Sequence, residues 1–127
     1  MGDAIAPKVA EKMLTEWQEA TGAELDADTQ ATISRAIRSG RLDFDTSSEV
    51  FSLNLVKPIE LENGETVDRL EISEPTVQQI SDASKTKNEF EQSMKILSYV
   101  TGQSVSVLNR MRMRDMTVAG ALLNFFG

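Results

Sequence analysis

Hydrophobic and polar positions along the chain follow two different periods. From Pro7 onward Val9, Met13, Leu14 and Trp17 recur at helical spacing, and Lys8, Glu11, Lys12, Glu16 and Glu19 form the polar face. Pro7 is tolerated at a first helical position and Gly22 ends the run. Asp26 is a plausible N-cap for a second helix, in which Ile33, Ala36 and Ile37 make a narrow apolar stripe before Gly40. A stripe that thin predicts a helical hairpin that needs a partner surface.

From Glu49 the period changes to two. Phe51, Leu53 and Leu55 share one face while Ser52 and Asn54 point the other way. Asn63-Gly64 is a strong hairpin signal, and a returning strand runs through Val67, Leu70 and Ile72. A two-residue turn pairs Glu62 with Glu65, which places Ile72 opposite Leu55 and Leu70 opposite Lys57. Cross-strand partners share a face, so Phe51, Leu53, Leu55, Ile59, Leu61, Leu70 and Ile72 are predicted on one buried side. Pro58 cannot donate to a ladder, so it must face away from a partner strand or sit at a bulge.

The helical period then returns. Pro75 opens a helix with Val77, Ile80 and Ala83, followed by a polar turn from Ser84 to Lys87. Thr86 and Glu89 have the spacing of a capping box for a helix whose stripe is Phe90, Met94, Leu97 and Thr101, ended by Gly102. Ser104 caps a short helix with Val105 and Leu108, and a last helix covers roughly Asp115 to Phe126. The predicted class is α+β, mostly α. A β-hairpin packs with a small helical bundle over residues 49–127, preceded by a helical extension over residues 1–48.

The 127 residues include 20 acidic and 13 basic side chains, for a net charge of −7. That charge opposes non-specific binding to nucleic acid or to an anionic membrane. No apolar run is long enough to span a bilayer, and no signal peptide is expected, so the reading is a cytosolic protein. With no histidine and no cysteine, nucleophile–base dyads and soft-ligand metal sites are excluded. Asp26 and Asp28 alternate, as do Asp43 and Asp45, but neither pair is followed by the glycine and glutamate of a calcium loop. No glycine-rich phosphate loop is present, so the expectation is a non-enzymatic protein without metal or cofactor.

Two features point to protein binding. Arg110, Arg112 and Arg114 form a basic island in an acidic chain. They are either a solvated connection, with Met111 and Met113 packing inward, or a docking patch for an acidic partner. In the last helix Met116, Ala119, Leu123 and Phe126 form one stripe, and Val118, Leu122 and Phe125 a second. A single buried stripe cannot hide both, so Leu122, Phe125 and Phe126 are candidate contacts for a client helix or for a second copy of the chain. If the N-terminal hairpin folds back over them, the site is closed until a partner competes it away.

The stretch from Phe51 to Phe126 resembles the tail assembly chaperones of Mu-like and P2-like contractile-tailed phages. The matching features are the strand with Lys57-Pro58-Ile59, the Asn63-Gly64 turn, the Leu70 to Pro75 segment running on into Thr76, and the closing helix from Asp115 to Phe125-Phe126. The two helices before Glu49 lie outside this pattern. The resemblance implies a protein that holds the tape-measure protein and helps tail-tube subunits polymerise around it, in the host cytoplasm and not in the mature virion. Independently of the resemblance, the second stripe of the last helix allows a homo-oligomer. The competing expectations are a structural tail or baseplate component retained in the particle, and a small regulator that binds protein.

Overall fold

A computed structural model describes residues 5–126. Helix α1 (Pro7–Thr21) ends at Gly22 in the left-handed region, and α2 (Ala27–Arg38) starts where the Asp26 carboxylate accepts a hydrogen bond from Thr29 N. The chain then enters a three-stranded antiparallel sheet in the order β1 (Leu42–Asp45), β2 (Val50–Glu60), β3 (Thr66–Ile72). Helices α3 (Val77–Ser84), α4 (Glu89–Thr101), α5 (Val105–Leu108) and α6 (Met113–Leu122) follow, and a 3-10 turn over Leu123–Phe126 closes the described chain. The protein is α+β and mostly α, as the periodicities predict.

Strand β1 is not among the expected elements, and the alternation that marks it was tested only against a calcium loop, which it fails. Asp43 and Asp45 alternate because Leu42 and Phe44 alternate with them: the apolar pair is buried and the acidic pair faces out. Phe44 faces Phe51 across the β1–β2 pair. Residues 1–48 are therefore not purely helical, and they supply an edge strand to the sheet.

The predicted register of the β2–β3 hairpin is corrected. Leu61 N donates to Glu65 O at 2.8 Å and Gly64 N to Leu61 O at 3.0 Å, which closes a three-residue loop in place of a two-residue turn. Gly64 takes φ +86°, a conformation glycine reaches without a Cβ clash, and Glu65 N donates to the Asn63 side chain. Beyond the loop Ile59 faces Val67, but further along Leu53 faces Leu70 and Phe51 faces Ile72. The residues between Asn54 and Ile59 bulge out of the ladder, and Pro58 is among them. The buried set on β2 and β3 matches the prediction except for Leu61, which is half-buried, although the pairing does not. The bulge absorbs the difference in register while keeping Leu55 and Ile59 on the core side.

The core is one cluster to which every layer contributes. Phe51 is fully buried, with ring centroids 4.4 Å from Phe44, 4.8 Å from Phe125, 5.8 Å from Trp17 and 5.9 Å from Phe126. Spacings of this kind add roughly 0.5–1.5 kcal/mol per aromatic pair beyond the area buried. Ala10, Leu14, Ile33, Ala36 and Ile37 of the helical hairpin join the same cluster as Val118, Ala119 and Leu122 of α6. The thin stripe on α2 thus finds its partner surface in α6 and the sheet.

Two helix starts also differ from the sequence reading. Asn88, not Thr86, caps α4, with its side-chain oxygen accepting from Phe90 N and Glu91 N. A full capping box forms instead at α3, where Thr76 and Gln79 exchange side-chain and backbone hydrogen bonds.

Candidate functional site

Asp115 organises one side of the molecule. It sits in the first turn of α6 and is fully buried. Its carboxylate accepts from Val56 N at 2.9 Å and Lys57 N at 3.4 Å, the amides that the bulge frees from the sheet. Arg41 Nη2 donates to the same carboxylate at 2.5 Å. Arg41 lies just before β1, and its carbonyl accepts from Asn54 N. The single carboxylate therefore ties α6, the β2 bulge and the root of β1 together. It substitutes for the strand neighbour that β2 lacks beyond Asn54, where β1 has not yet begun. A buried carboxylate is tolerated only when its hydrogen-bonding capacity is met, and here two amides and a guanidinium meet it.

Around this anchor lies the basic island. Arg110 donates to Glu60 O at 2.8 Å and has Glu62 at 3.8 Å, so part of its charge is used locally. Arg112 is exposed at the N-cap of α6 and shares a groove with Lys57 and Arg110. Arg114 is exposed and shares a second groove with Arg35 and Arg41. Met111 packs inward as expected, whereas Met113 is 67% exposed and stands between the two arginines. The three arginines are thus exposed but divided between two grooves, with the exposed Met113 between Arg112 and Arg114 in the sequence.

The closing helix is placed differently from the expectation of an open stripe. Leu122 and Phe125 are core residues, and Phe126 is half-buried against Phe51. Both stripes are largely covered, because the sheet and the N-terminal hairpin pack over them. Val118, Leu122 and Phe125 share the cluster of Trp17, Ile33 and Ile37. A partner reaches Leu122 or Phe125 only if that hairpin withdraws.

Open apolar side chains inside the helical part lie on α3 and the start of α4. Helix α3 buries only Ala83. Val77 is 88% exposed, Ile80 42% and Phe90 50%. Phe90 borders a groove of about 620 Å³ with Met94, Val105, Thr86 and Asn109, flanked by Glu91 and Lys95. Sequence reasoning assigned Val77, Ile80 and Phe90 to buried stripes by periodicity. The signal available was brevity: α3 has eight residues and small or polar side chains between its apolar ones, so it has little to bury.

One acid of each alternating pair, Asp26 and Asp45, holds local hydrogen bonds. Backbone and side-chain hydrogen bonds from Thr29 hold the Asp26 carboxyl below the ordinary carboxylate range. Ser47 does the same for Asp45, first through its hydroxyl and then through its amide. Among the described residues no group of three or more acidic side chains is placed to hold a metal ion, and no helix is long and apolar enough to cross a membrane.

No curated protein and no solved structure matches the chain. A family model does, over residues 52–127, and it describes phage tail assembly chaperone proteins, E, or 41 or 14. The matched span runs from the start of β2 through the hairpin, α3, α4, α5 and α6, and so contains the α3–α4 surface, the bulge and its aspartate anchor. More than half of the chain is covered, and the chain belongs to the phage tail assembly chaperone family.

Proposed function

We propose that this chaperone, of the Mu-like and P2-like type, binds the tape-measure protein of a phage tail before assembly and assists tail-tube subunits in polymerising around it. The observation that carries the reading is the surface of α3 and α4, where Val77, Ile80 and Phe90 are left exposed inside the family-matched span. Val77 and Ile80 stand three apart on α3 and Phe90 borders the α4 groove, and exposed apolar side chains of this kind suit an amphipathic client helix, which would lay its own apolar side there. The area is small, so the contact is modest and releasable, as a transient holder requires. Arg110, Arg112 and Arg114 then serve as a second contact, for acidic side chains of the client. The role needs neither catalysis nor a cofactor, and it places the protein in the cytoplasm of the host bacterium and outside the finished particle.

Co-expression with the tape-measure protein tests this reading. The wild type is expected to keep the tape-measure protein soluble and to co-purify with it, while purified tails lack the chain. The double variant Val77→Asp, Phe90→Asp is expected to fold and to lose the client. Retention of the chain in purified tails would make it a structural component instead. Undiminished capture by the double variant would remove the α3–α4 face from the account.

A further inference from the structure

The sheet has two edges, and they differ in what their charges permit. Among the described residues strand β3 is paired with β2 on one side only. Asn54 N points toward the β1 side, where it donates to Arg41 O. Main-chain groups alternate direction along a strand, so Leu53 and Phe51 bond toward β3, and their partners Leu70 and Ile72 bond toward β2. Arg69 and Glu71 therefore direct their N–H and C=O groups outward. Among the described residues no main-chain hydrogen bond from another element reaches them. An open groove of about 370 Å³ runs along this edge, lined by residues 66–71 with Thr101 and Gln103 as its far wall.

We propose that this edge is the self-association surface, at which β3 of a second copy adds antiparallel about a two-fold axis at Leu70. That register puts Arg69 opposite Glu71 of the second copy, and Glu71 opposite its Arg69. The outward main-chain groups of these residues then exchange hydrogen bonds as facing pairs. Their side chains lie on the polar face of the sheet, where directly opposed opposite charges are favourable. In the isolated chain Arg69 and Glu71 pair with each other at 3.2 Å, both more than half exposed, so pairing with the second copy exchanges partners without stranding a charge. Leu70 and Ile72 stay on the core side. The product is one continuous sheet of six strands.

The opposite edge makes the contrast. A two-fold about Phe44 of β1 would set Asp43 against Asp45 of the second copy, a like-charge pair on each side of the axis. The charge pattern disfavours that edge and suits β3. The interface uses neither α3 nor the α4 groove, so it stands apart from the client reading.

Sedimentation equilibrium tests the inference. The wild type is expected to dimerise. Arg69→Glu turns two attractive cross-strand pairs into repulsive ones and is expected to weaken association by roughly tenfold. Glu71→Arg should do the same, and Arg69→Glu combined with Glu71→Arg should restore the dimer. Amide exchange of the wild type supplies a readout free of variants: the Arg69 and Glu71 amides should gain protection as protein concentration rises. A wild type that stays monomeric to its solubility limit overturns the proposal. So does an unaltered dimer in Arg69→Glu, or failure of the swapped pair to restore one.

Discussion

Asp115 shows how one side chain can fix several elements at once. Its partners are 74, 59 and 58 residues away in sequence, which is why the linear reading saw only an acid near a helix start. Replacing it with alanine leaves two amides and a guanidinium without their acceptor. Asp115→Ala is expected to lose about 3–5 kcal/mol in urea unfolding, the scale of breaking a buried pair from one side. Arg41→Ala should cost less, because the carboxylate keeps its amide donors and the arginine is partly exposed. A fully stable Asp115→Ala would show that the bulge does not depend on this anchor. Phe51, in contrast, was legible from periodicity alone as a core position. Phe51→Ala should cost about 3–5 kcal/mol, since it touches aromatic rings of α1, β1 and the closing turn.

At the scale of elements, helix and strand identities followed from apolar spacing, and caps followed where a side chain of the right kind stood at the right place. Asp26 and Ser104 cap as expected, each accepting from the amide three residues on. Register was not legible. It depends on a three-residue loop and a bulge, and the bulge depends on Asp115, a long-range partner that no local pattern encodes. Strand β1 was missed because four residues are too few for a periodic signal and its acids invited another reading. Of the expected partner-binding residues, the arginines are exposed where the sequence placed them. Leu122 and Phe125 are covered by a hairpin whose docking site could not be read from its own stripe. The α3 helix gives a prediction at this scale. Val77→Asp should change stability by no more than about 0.5 kcal/mol, as surface substitutions do. A loss of several kcal/mol on thermal melting would mean that α3 is buried against something, contrary to its exposure.

Considered as a whole molecule, the chain is an acidic protein with a core shared between the N-terminal hairpin and the family-matched span. Sharing predicts cooperativity. Trp17→Ala should lower the stability of the whole protein by about 3–5 kcal/mol in a single transition, because the cavity opens in the common cluster. Two separated transitions would show the hairpin to be an independent unit. The same sharing predicts that a fragment without the hairpin exposes Phe51, Leu122 and Phe125 and self-associates through them, which light scattering would detect.

The central functional claim is that a client lies on α3 and the start of α4 while the hairpin stays in place over the closing helix. Hydrogen exchange of the chaperone, free and bound to its tape-measure client, measures this directly. Slower exchange over residues 77–95, with residues 7–38 and 113–126 unchanged, is the expected result. Protection confined to residues 113–126, accompanied by faster exchange in residues 7–38, would contradict it and would mean that the client displaces the hairpin to reach Leu122 and Phe125.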